Sequence, residues 1–152
     1  MKIAVINGPN LNMLGLRDKN IYGSETLDDV INMLRAKMPD LQIEAFQSNG
    51  EGEIIDRIQA IRYEEDTIGI IINPGAYAHY SYAIADALRD IKGVKPTVEV
   101  HISNIHAREE FRSHSVTAGC VDAVVAGAGT HGYLLAALQV IYLHNKMLGN
   151  EA

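Results

Sequence analysis

A carboxylate and an imidazole stand two residues apart in the otherwise apolar segment Val98-Glu99-Val100-His101-Ile102. If this segment is a β-strand, both side chains point to the same face of the sheet. An unpaired buried glutamate is costly, whereas a glutamate that accepts a hydrogen bond from one imidazole nitrogen selects the ring tautomer and raises the basicity of the other nitrogen. We therefore interpret Glu99 and His101 as an acid–base pair, with a purely structural pair as the alternative.

Cationic side chains follow this segment closely. Ser103 comes directly after it, and Arg108 and Arg112 are four residues apart. On a short helix, predicted here around residues 108–111, that spacing would place both guanidiniums on one face. Two guanidiniums and a hydroxyl at the end of a strand predict an anion-binding pocket, and the net charge of −6 over the whole chain would focus positive potential there.

The connection after the first predicted strand is unusually long and carries a phenol close to cations. It takes about sixteen residues, where such connections usually take two to six. Tyr22 lies in it together with Arg17 and Lys19. A phenol has an unperturbed pKa of about 10 and becomes a usable base only near positive charge. Tyr22 is thus a candidate base; the alternative is a solvated, turn-rich lid in which Arg17 is merely exposed.

A third group of polar side chains follows the third predicted strand. Asn73 and His79 bracket the sequence Asn73-Pro74-Gly75-Ala76-Tyr77-Ala78-His79. An amide and an imidazole at the end of a strand could orient the hydroxyl groups of a substrate. The alternative for His79 is an ordinary solvated histidine, and the convergence of three such loops favours the functional interpretation.

These three loops converge only if the strands before them are neighbours in one parallel sheet. Apolar runs of strand length alternate five times with segments of helical periodicity, a pattern typical of α/β proteins. Continuous Ile and Val runs indicate strands that are covered on both faces, as in a parallel, doubly wound sheet. The predicted strands are residues 3–6, 41–46, 68–72, 97–102 and 123–126.

Five strands favour the flavodoxin-like order 2-1-3-4-5. In that order the chain reverses direction between strands one and three, and ligands bind beyond the carboxyl ends of the strands at that switch point. The first helix is predicted to begin at Thr26, with Asp29 as a capping-box partner, and to stop at Pro39. Further apolar stripes predict helices over residues 54–61, 83–91 and 134–142.

Length and composition predict one domain. The chain has 152 residues, 47% of them hydrophobic and 21% charged, which is enough for a single core. We expect a catalytic domain over residues 1–148 and a frayed tail at 149–152. The acidic balance disfavours nucleic acid as a partner, and the apolar runs are too short for a membrane span, which requires roughly 20 residues. With no signal-peptide pattern, a cytoplasmic protein is expected.

Two tempting motifs are set aside. Residues 127–132, Gly-Ala-Gly-Thr-His-Gly, match the dinucleotide fingerprint GxGxxG, but no strand with an acidic residue follows them, so close packing of helix on strand is the better interpretation. The histidines show no metal-ligand spacing, and the single cysteine, Cys120, is interpreted as a small buried hydrophobic residue. A zinc site is therefore not expected.

Several blocks of the sequence, taken together and in the order in which they occur, resemble type II 3-dehydroquinate dehydratase. The resemblance covers nearly the whole chain, and its last block is the most specific. It implies a cofactor-free lyase of the shikimate pathway of aromatic amino acid biosynthesis, or of quinate breakdown, which dehydrates 3-dehydroquinate to 3-dehydroshikimate on a flavodoxin-like fold. The blocks are residues 7–11, Arg17 with residues 22–23, residues 47–53, residues 73–75 and residues 99–112.

The resemblance also implies roles for individual residues. Tyr22 resembles the base that removes a proton alpha to the ring ketone, held as phenolate by Arg17 and Arg108. Asn10 resembles the residue that positions a water against the enolate, and His101, oriented by Glu99, resembles the general acid. The substrate carboxylate is expected on the Ser103 side chain and the N–H groups of Ile102 and Ser103. The hydroxyl-binding set implied is Asn73, His79 and Arg112.

An assembly is implied as well: trimers that associate to a dodecamer, with Asp86 reaching into the site of a neighbouring subunit. The lid departs from the family pattern, because Asp18 stands where glutamate is common after Arg17. A flavodoxin-like module that binds FMN or another small ligand is the alternative function, although residues 7–10 lack a hydroxyl-rich phosphate loop. A phosphoacceptor receiver domain would need acidic residues at the end of strand one and a lysine at the end of strand five, where Asn7 and Gly127 stand.

Overall fold

A computed structural model describes residues 1–150. Its centre is a five-stranded, all-parallel sheet in the order β2-β1-β3-β4-β5, which confirms the predicted order. The predicted strands agree with the observed ones to within a residue at each end. The strands are β1 (Lys2–Asn7), β2 (Gln42–Gln47), β3 (Thr67–Asn73), β4 (Thr97–His101) and β5 (Ala123–Ala126).

Helices cover both faces of the sheet. The core on one face contains residues of α2 and α5, and the core on the other contains residues of α3 and α4. Thr26 caps α2 through the predicted capping box, in which its hydroxyl accepts from the Asp29 N–H at 3.1 Å. The α-helices are α1 (Lys19–Tyr22), α2 (Leu27–Lys37), α3 (Glu51–Ile61), α4 (Tyr82–Ile91) and α5 (Gly132–Met147).

The alternation of side chains along β4 sends the acid–base pair to one face. Val98 and Val100 pack in the core that contains α2 and α5. Since successive residues of a strand point to opposite faces, Glu99 and His101 point to the other face. Both are buried. The strand therefore delivers a polar pair to the carboxyl edge of the sheet without exposing it.

The prediction of a helix around residues 108–111 is wrong. Two short 3-10 helices, Ile105–Ala107 and Glu110–Ser113, occupy this stretch, and Arg108 between them is extended, with φ −119° and ψ −156°. The Asn104 side chain caps the first turn by accepting from the His106 N–H. A spacing of four between arginines supplies no apolar stripe, so nothing stabilises a continuous helix here.

The Gly-Ala-Gly-Thr-His-Gly segment forms the turn from β5 into α5. A Cβ on Gly132 would lie 3.2 Å from Val100 Cγ2 and 3.5 Å from Val125 Cγ1, so the packing interpretation is confirmed at this position. At the other end of α5, the N–H groups of Gly149 and Asn150 donate to carbonyls of the last helical turn. The remainder of the tail expected at 149–152 lies outside the described residues.

Candidate active site

A cleft lies at the carboxyl ends of β1, β3 and β4, at the predicted switch point. It is formed by the long loop after β1, the 3-10 helix Gly75–His79 and the segment after β4. All but two of the residues expected in the site line it; Glu99 lies behind His101, and Asp86 lies elsewhere. The expected residues in the lining are Asn10, Arg17, Tyr22, Asn73, His79, His101, Ile102, Ser103, Arg108 and Arg112.

Two guanidinium groups contact Tyr22. Arg108 Nη1 donates to the Tyr22 hydroxyl at 2.9 Å and to Ser103 Oγ at 3.2 Å. Arg17 instead lies over the ring, with its guanidinium carbon 4.7 Å from the ring centroid. The guanidinium carbon of Arg108 is itself 5.3 Å from the ring centroid, so both arginines contact this phenol. The arginine that hydrogen-bonds to the phenol is thus Arg108, from the segment after β4, and not the loop residue Arg17.

Asp18 and Gly23 shape the single helical turn that carries Tyr22. The Asp18 side chain caps α1 by accepting from the Asn20 N–H at 3.0 Å. Gly23 ends the turn with a φ of +79°, a conformation that a residue with a Cβ rarely adopts. Asp18 is therefore an N-cap here, a role its short side chain can fill.

Glu99 and His101 form a buried pair. His101 Nε2 and Glu99 Oε1 are 2.7 Å apart. Ser115 Oγ lies 3.5 Å from the same carboxylate oxygen, and Glu99 Oε2 has no hydrogen-bond partner among residues 1–150. The hydrogen bond fixes the imidazole ring and leaves Nδ1 as the nitrogen that Glu99 does not engage. Sequence analysis did not identify Ser115.

His79 stacks beside this pair in a defined tautomer. Its Nδ1 lies 2.8 Å from the His114 carbonyl oxygen, which can only accept, so Nδ1 carries the proton. The ring centroids of His79 and His101 are 6.4 Å apart. Burial lowers the pKa of His79, and the nearby His101 and Arg112 lower it further. A neutral His79 with a proton on Nδ1 has Nε2 as its hydrogen-bond acceptor.

Arg112 meets Arg108 through a shared carboxylate. Arg112 Nε donates to Glu109 Oε2 at 2.9 Å, and Arg108 Nε lies 3.6 Å from the same oxygen. A hydrogen bond from its own backbone N–H and another from Arg112 lower the pKa of Glu109. Both arginines therefore reach the cleft as predicted, although the helical face expected to align them is absent.

Asn10 is held in a left-handed backbone conformation. Its φ is +68°, the one positive value at a non-glycine position in the described part of the chain. The Asn10 N–H donates to Asn49 Oδ1 at 3.0 Å, and Gln47 Nε2 donates to the same oxygen at 3.2 Å and to the Gly8 carbonyl at 3.2 Å. Gln47 and Asn49 carried no predicted role; their position at the carboxyl end of β2 was the available signal.

Asp86 lies outside the cleft. It belongs to α4, its side chain is 72% exposed, and it pairs with Arg89 Nη1 at 2.7 Å. Tyr82, four residues earlier on the same helix, is exposed as well. Residues 1–150 contain no group of three or more His, Cys, Asp or Glu side chains that could hold a metal ion. No helix in that range is long and apolar enough to cross a membrane.

The fold and the cleft together define a flavodoxin-like α/β protein with a polar cleft at the switch point of its sheet. The family model Dehydroquinase class II matches residues 1–141, and the chain belongs to this family. The 3-dehydroquinate dehydratase of Thermotoga neapolitana is 56% identical over 138 residues, which are 90% of this chain and 91% of that protein.

Two further relatives extend the match. The 3-dehydroquinate dehydratase of Lachnoclostridium phytofermentans is 56% identical over 146 residues, covering 95% of this chain and 99% of its own. The crystal structure of type II dehydroquinase from Butyrivibrio crossotus superimposes with a TM-score of 0.88 at 49% identity, covering 93% of this chain and 97% of that one. The resemblance found in the sequence is therefore confirmed at the level of family and fold.

Proposed function

We propose that this protein dehydrates 3-dehydroquinate to 3-dehydroshikimate. The observation that carries the proposal is the Tyr22 phenol held by Arg108 in the same cleft as the Glu99–His101 pair. A dehydration alpha to a ketone needs a base for the C–H proton and an acid for the departing hydroxyl. Family membership and the names of the relatives support this substrate.

Proton removal is assigned to Tyr22. As a phenolate in contact with Arg17 and Arg108, its oxygen takes the proton alpha to the ring ketone, and the electron pair of that C–H bond forms an enolate. Asn10 positions a water that stabilises the enolate oxygen. Electrostatic stabilisation of such an oxyanion is commonly the largest contribution to the rate.

Loss of the hydroxyl is assigned to His101. As the enolate collapses, the C–O bond breaks, a carbon–carbon double bond forms, and His101 Nδ1 gives its proton to the departing oxygen, which leaves as water. The Tyr22 proton then returns to solvent and His101 is reprotonated. The dehydration requires no oxidant or reductant. Each acid–base step would contribute a factor of about 10² to 10⁴ to the rate.

The remaining polar groups of the cleft would bind the substrate. The carboxylate is assigned to the Ser103 hydroxyl and to the backbone N–H groups of Ile102 and Ser103, because Arg108 already polarises that hydroxyl. The ring hydroxyls are assigned to Asn73, His79 and Arg112. His79 would accept a hydroxyl proton on Nε2, which follows from its tautomer.

The assembly belongs to this proposal. Trimers that associate to a dodecamer would place the exposed Asp86 of one subunit at the cleft of the next, which would give a purpose to a side chain that lies outside its own cleft. A cytoplasmic location and a place in aromatic amino acid biosynthesis or in quinate breakdown fit the same chemistry. Adding 3-dehydroquinate to the purified protein tests the function, since the product is an enone that absorbs in the ultraviolet.

A further inference from the structure

A tyrosine outside the proposed mechanism lies directly behind the cleft. Tyr133, the second residue of α5, is fully buried, and its hydroxyl lies between two asparagines. The hydroxyl donates to Asn7 Oδ1 at 2.7 Å and accepts from Asn73 Nδ2 at 2.9 Å. Asn7 and Asn73 end β1 and β3 and pair with each other in the sheet. Burial raises the pKa of Tyr133, so the phenol stays protonated.

We propose that Tyr133 is a positioning residue that fixes the side-chain amide of Asn73 so that it offers an N–H, and not its carbonyl, to the ligand in the cleft. The inference rests on the proposed function to the extent that Asn73 contacts the substrate. Asn73 itself is buried and lines the cleft. An amide turned by 180° would exchange a donor for an acceptor at that point, which would change the group that the site recognises.

The donor and acceptor of each hydrogen bond in the series Asn7–Tyr133–Asn73 are determined by groups at its two ends. The Phe46 carbonyl can only accept, and it lies 3.5 Å from Asn7 Nδ2, which leaves Asn7 Oδ1 to accept from Tyr133. The single phenolic proton is then committed to Asn7, so the Tyr133 oxygen can only accept from Asn73.

The contact of Asn73 with Gly75 requires the same orientation of the Asn73 amide. The Gly75 N–H can only donate, and it reaches Asn73 Oδ1 at 3.1 Å. With the oxygen engaged by Gly75 and one amide hydrogen engaged by Tyr133, the second amide hydrogen of Asn73 is the group left for the cleft. The amide orientation therefore follows from the Gly75 N–H, which can only donate, and from the Tyr133 hydroxyl, whose proton is committed to Asn7.

The glycine-rich turn of residues 127–132 helps to place Tyr133. Because Gly132 has no Cβ, α5 begins in close contact with Val100 and Val125. That approach brings the next residue, Tyr133, under the ends of β1 and β3. A buried phenol without partners would be costly, and here both of its hydrogen-bonding roles are filled.

The test begins with Tyr133→Phe, which keeps the ring and removes only the hydroxyl. We expect kcat/KM for 3-dehydroquinate to fall about three- to tenfold, the size of one neutral hydrogen bond. In an Asn73→Ala background the same change should cost no further activity, because Tyr133 acts through Asn73. Tyr142→Phe, on the exposed side of α5, is the matched control and should leave kcat/KM unchanged.

The cycle separates positioning from a merely structural role. A structural role predicts that Tyr133→Phe lowers the melting temperature equally with Asn73 or Ala at position 73, and that any loss of activity is the same in both backgrounds; that result would overturn the proposal. If the wild-type protein does not dehydrate 3-dehydroquinate at all, the proposed function fails instead, so the two failures are distinguishable.

A second variant tests the amide orientation even if Tyr133→Phe does not fold. Asn73→Asp supplies two acceptors and no donor at the same position. If the cleft uses the N–H of Asn73, this variant should lose kcat/KM at least as severely as Asn73→Ala, with its fold verified by circular dichroism. Activity close to that of the wild type would show that the ligand needs an acceptor there, and would contradict the proposal.

Discussion

The guanidinium of Arg108 donates to the hydroxyl of Tyr22 at 2.9 Å, joining two residues that are 86 positions apart in the chain. The loop after β1 and the segment after β4 meet at this hydrogen bond. Because Arg108 also donates to Ser103, one side chain connects the proposed base with the proposed carboxylate site. The loop after β1 is therefore joined to the segment after β4 through the residue that we propose as the base.

The two arginines beside Tyr22 should differ in their effect on activity. Arg108→Met removes a hydrogen bond and a charge, whereas Arg17→Met removes a charge that lies over the ring. Because Arg108→Met loses the hydrogen bond as well as the charge, kcat/KM should fall further in this variant than in Arg17→Met. Steady-state rates of the wild type and both variants test this; full activity in both variants would exclude a role for these arginines.

Replacing the proposed acid should uncouple the two steps. In His101→Ala, product formation should fall about 10²- to 10⁴-fold, because hydroxide is a poor leaving group when nothing protonates it. Tyr22 remains, so exchange of the alpha proton of the substrate with deuterated solvent should persist, as measured by NMR. Product formation at the wild-type rate would refute the role of His101.

Asp86 should act on a neighbouring subunit. Asp86→Ala is expected to lose activity although Asp86 lies outside its own cleft, while Asp90→Ala, an exposed acid on the same helix, should not. Refolding Asp86→Ala chains together with inactive Tyr22→Phe chains should restore some activity, since some sites would then combine two intact contributions. A fully active monomer in sedimentation, or mixtures with no gain, would exclude a shared site.

Stability at acid pH should depend on an ionic cluster near the start of β1, on the other side of the protein from the cleft. The cluster consists of Lys2, Glu44, Arg57 and Glu64. A hydrogen bond from Arg57, supported by Thr67 and Lys2, lowers the pKa of Glu64 from 4.5 to about 2. A lowered carboxyl pKa stabilises the fold fully above about pH 4.5, and this stabilisation is lost as pH falls towards 2.

The matching measurement is the free energy of unfolding of Glu64→Gln and of the wild type as a function of pH. At pH 7 the variant should be less stable by about 1 to 3 kcal/mol, and the difference should shrink below about pH 4.5. Asp66→Asn is the control, because that side chain is 62% exposed and 3.6 Å from Lys2, and it should change stability by less than about 0.5 kcal/mol. A difference that stays constant from pH 7 to 2 would contradict the linkage.

The sheet could be predicted from sequence because its strands are covered on both faces. In β3, Ile71 packs in one core while Ile70 and Ile72 pack in the other, so every position of the run must be apolar. The start of α2 was predictable for a local reason, since Thr26 and Asp29 bond each other within one turn. The position of a buried strand and the start of α2 are therefore encoded in short segments.

The helix at Arg108 and the role of Tyr133 could not be predicted in the same way. A spacing of four between charged residues contributes only tenths of a kcal/mol and does not determine a helix. Tyr133 begins an apolar helical run, and its hydrogen-bond partners lie 126 and 60 positions away, so nothing local distinguishes it from a core residue. Asn49 was missed similarly, because its contact with Asn10 forms only when β1 and β2 pair.

The proposal that Tyr22 is the base of a dehydration can be tested by following enone absorbance after 3-dehydroquinate is added to the wild-type protein and to Tyr22→Phe at equal concentration. We expect rapid product formation by the wild type and a rate lower by about 10² or more in the variant, with substrate binding retained because only one oxygen is lost. Tyr63→Phe, at an exposed tyrosine outside the cleft lining, should match the wild type. Dehydration by Tyr22→Phe at the wild-type rate would show that Tyr22 is not the base.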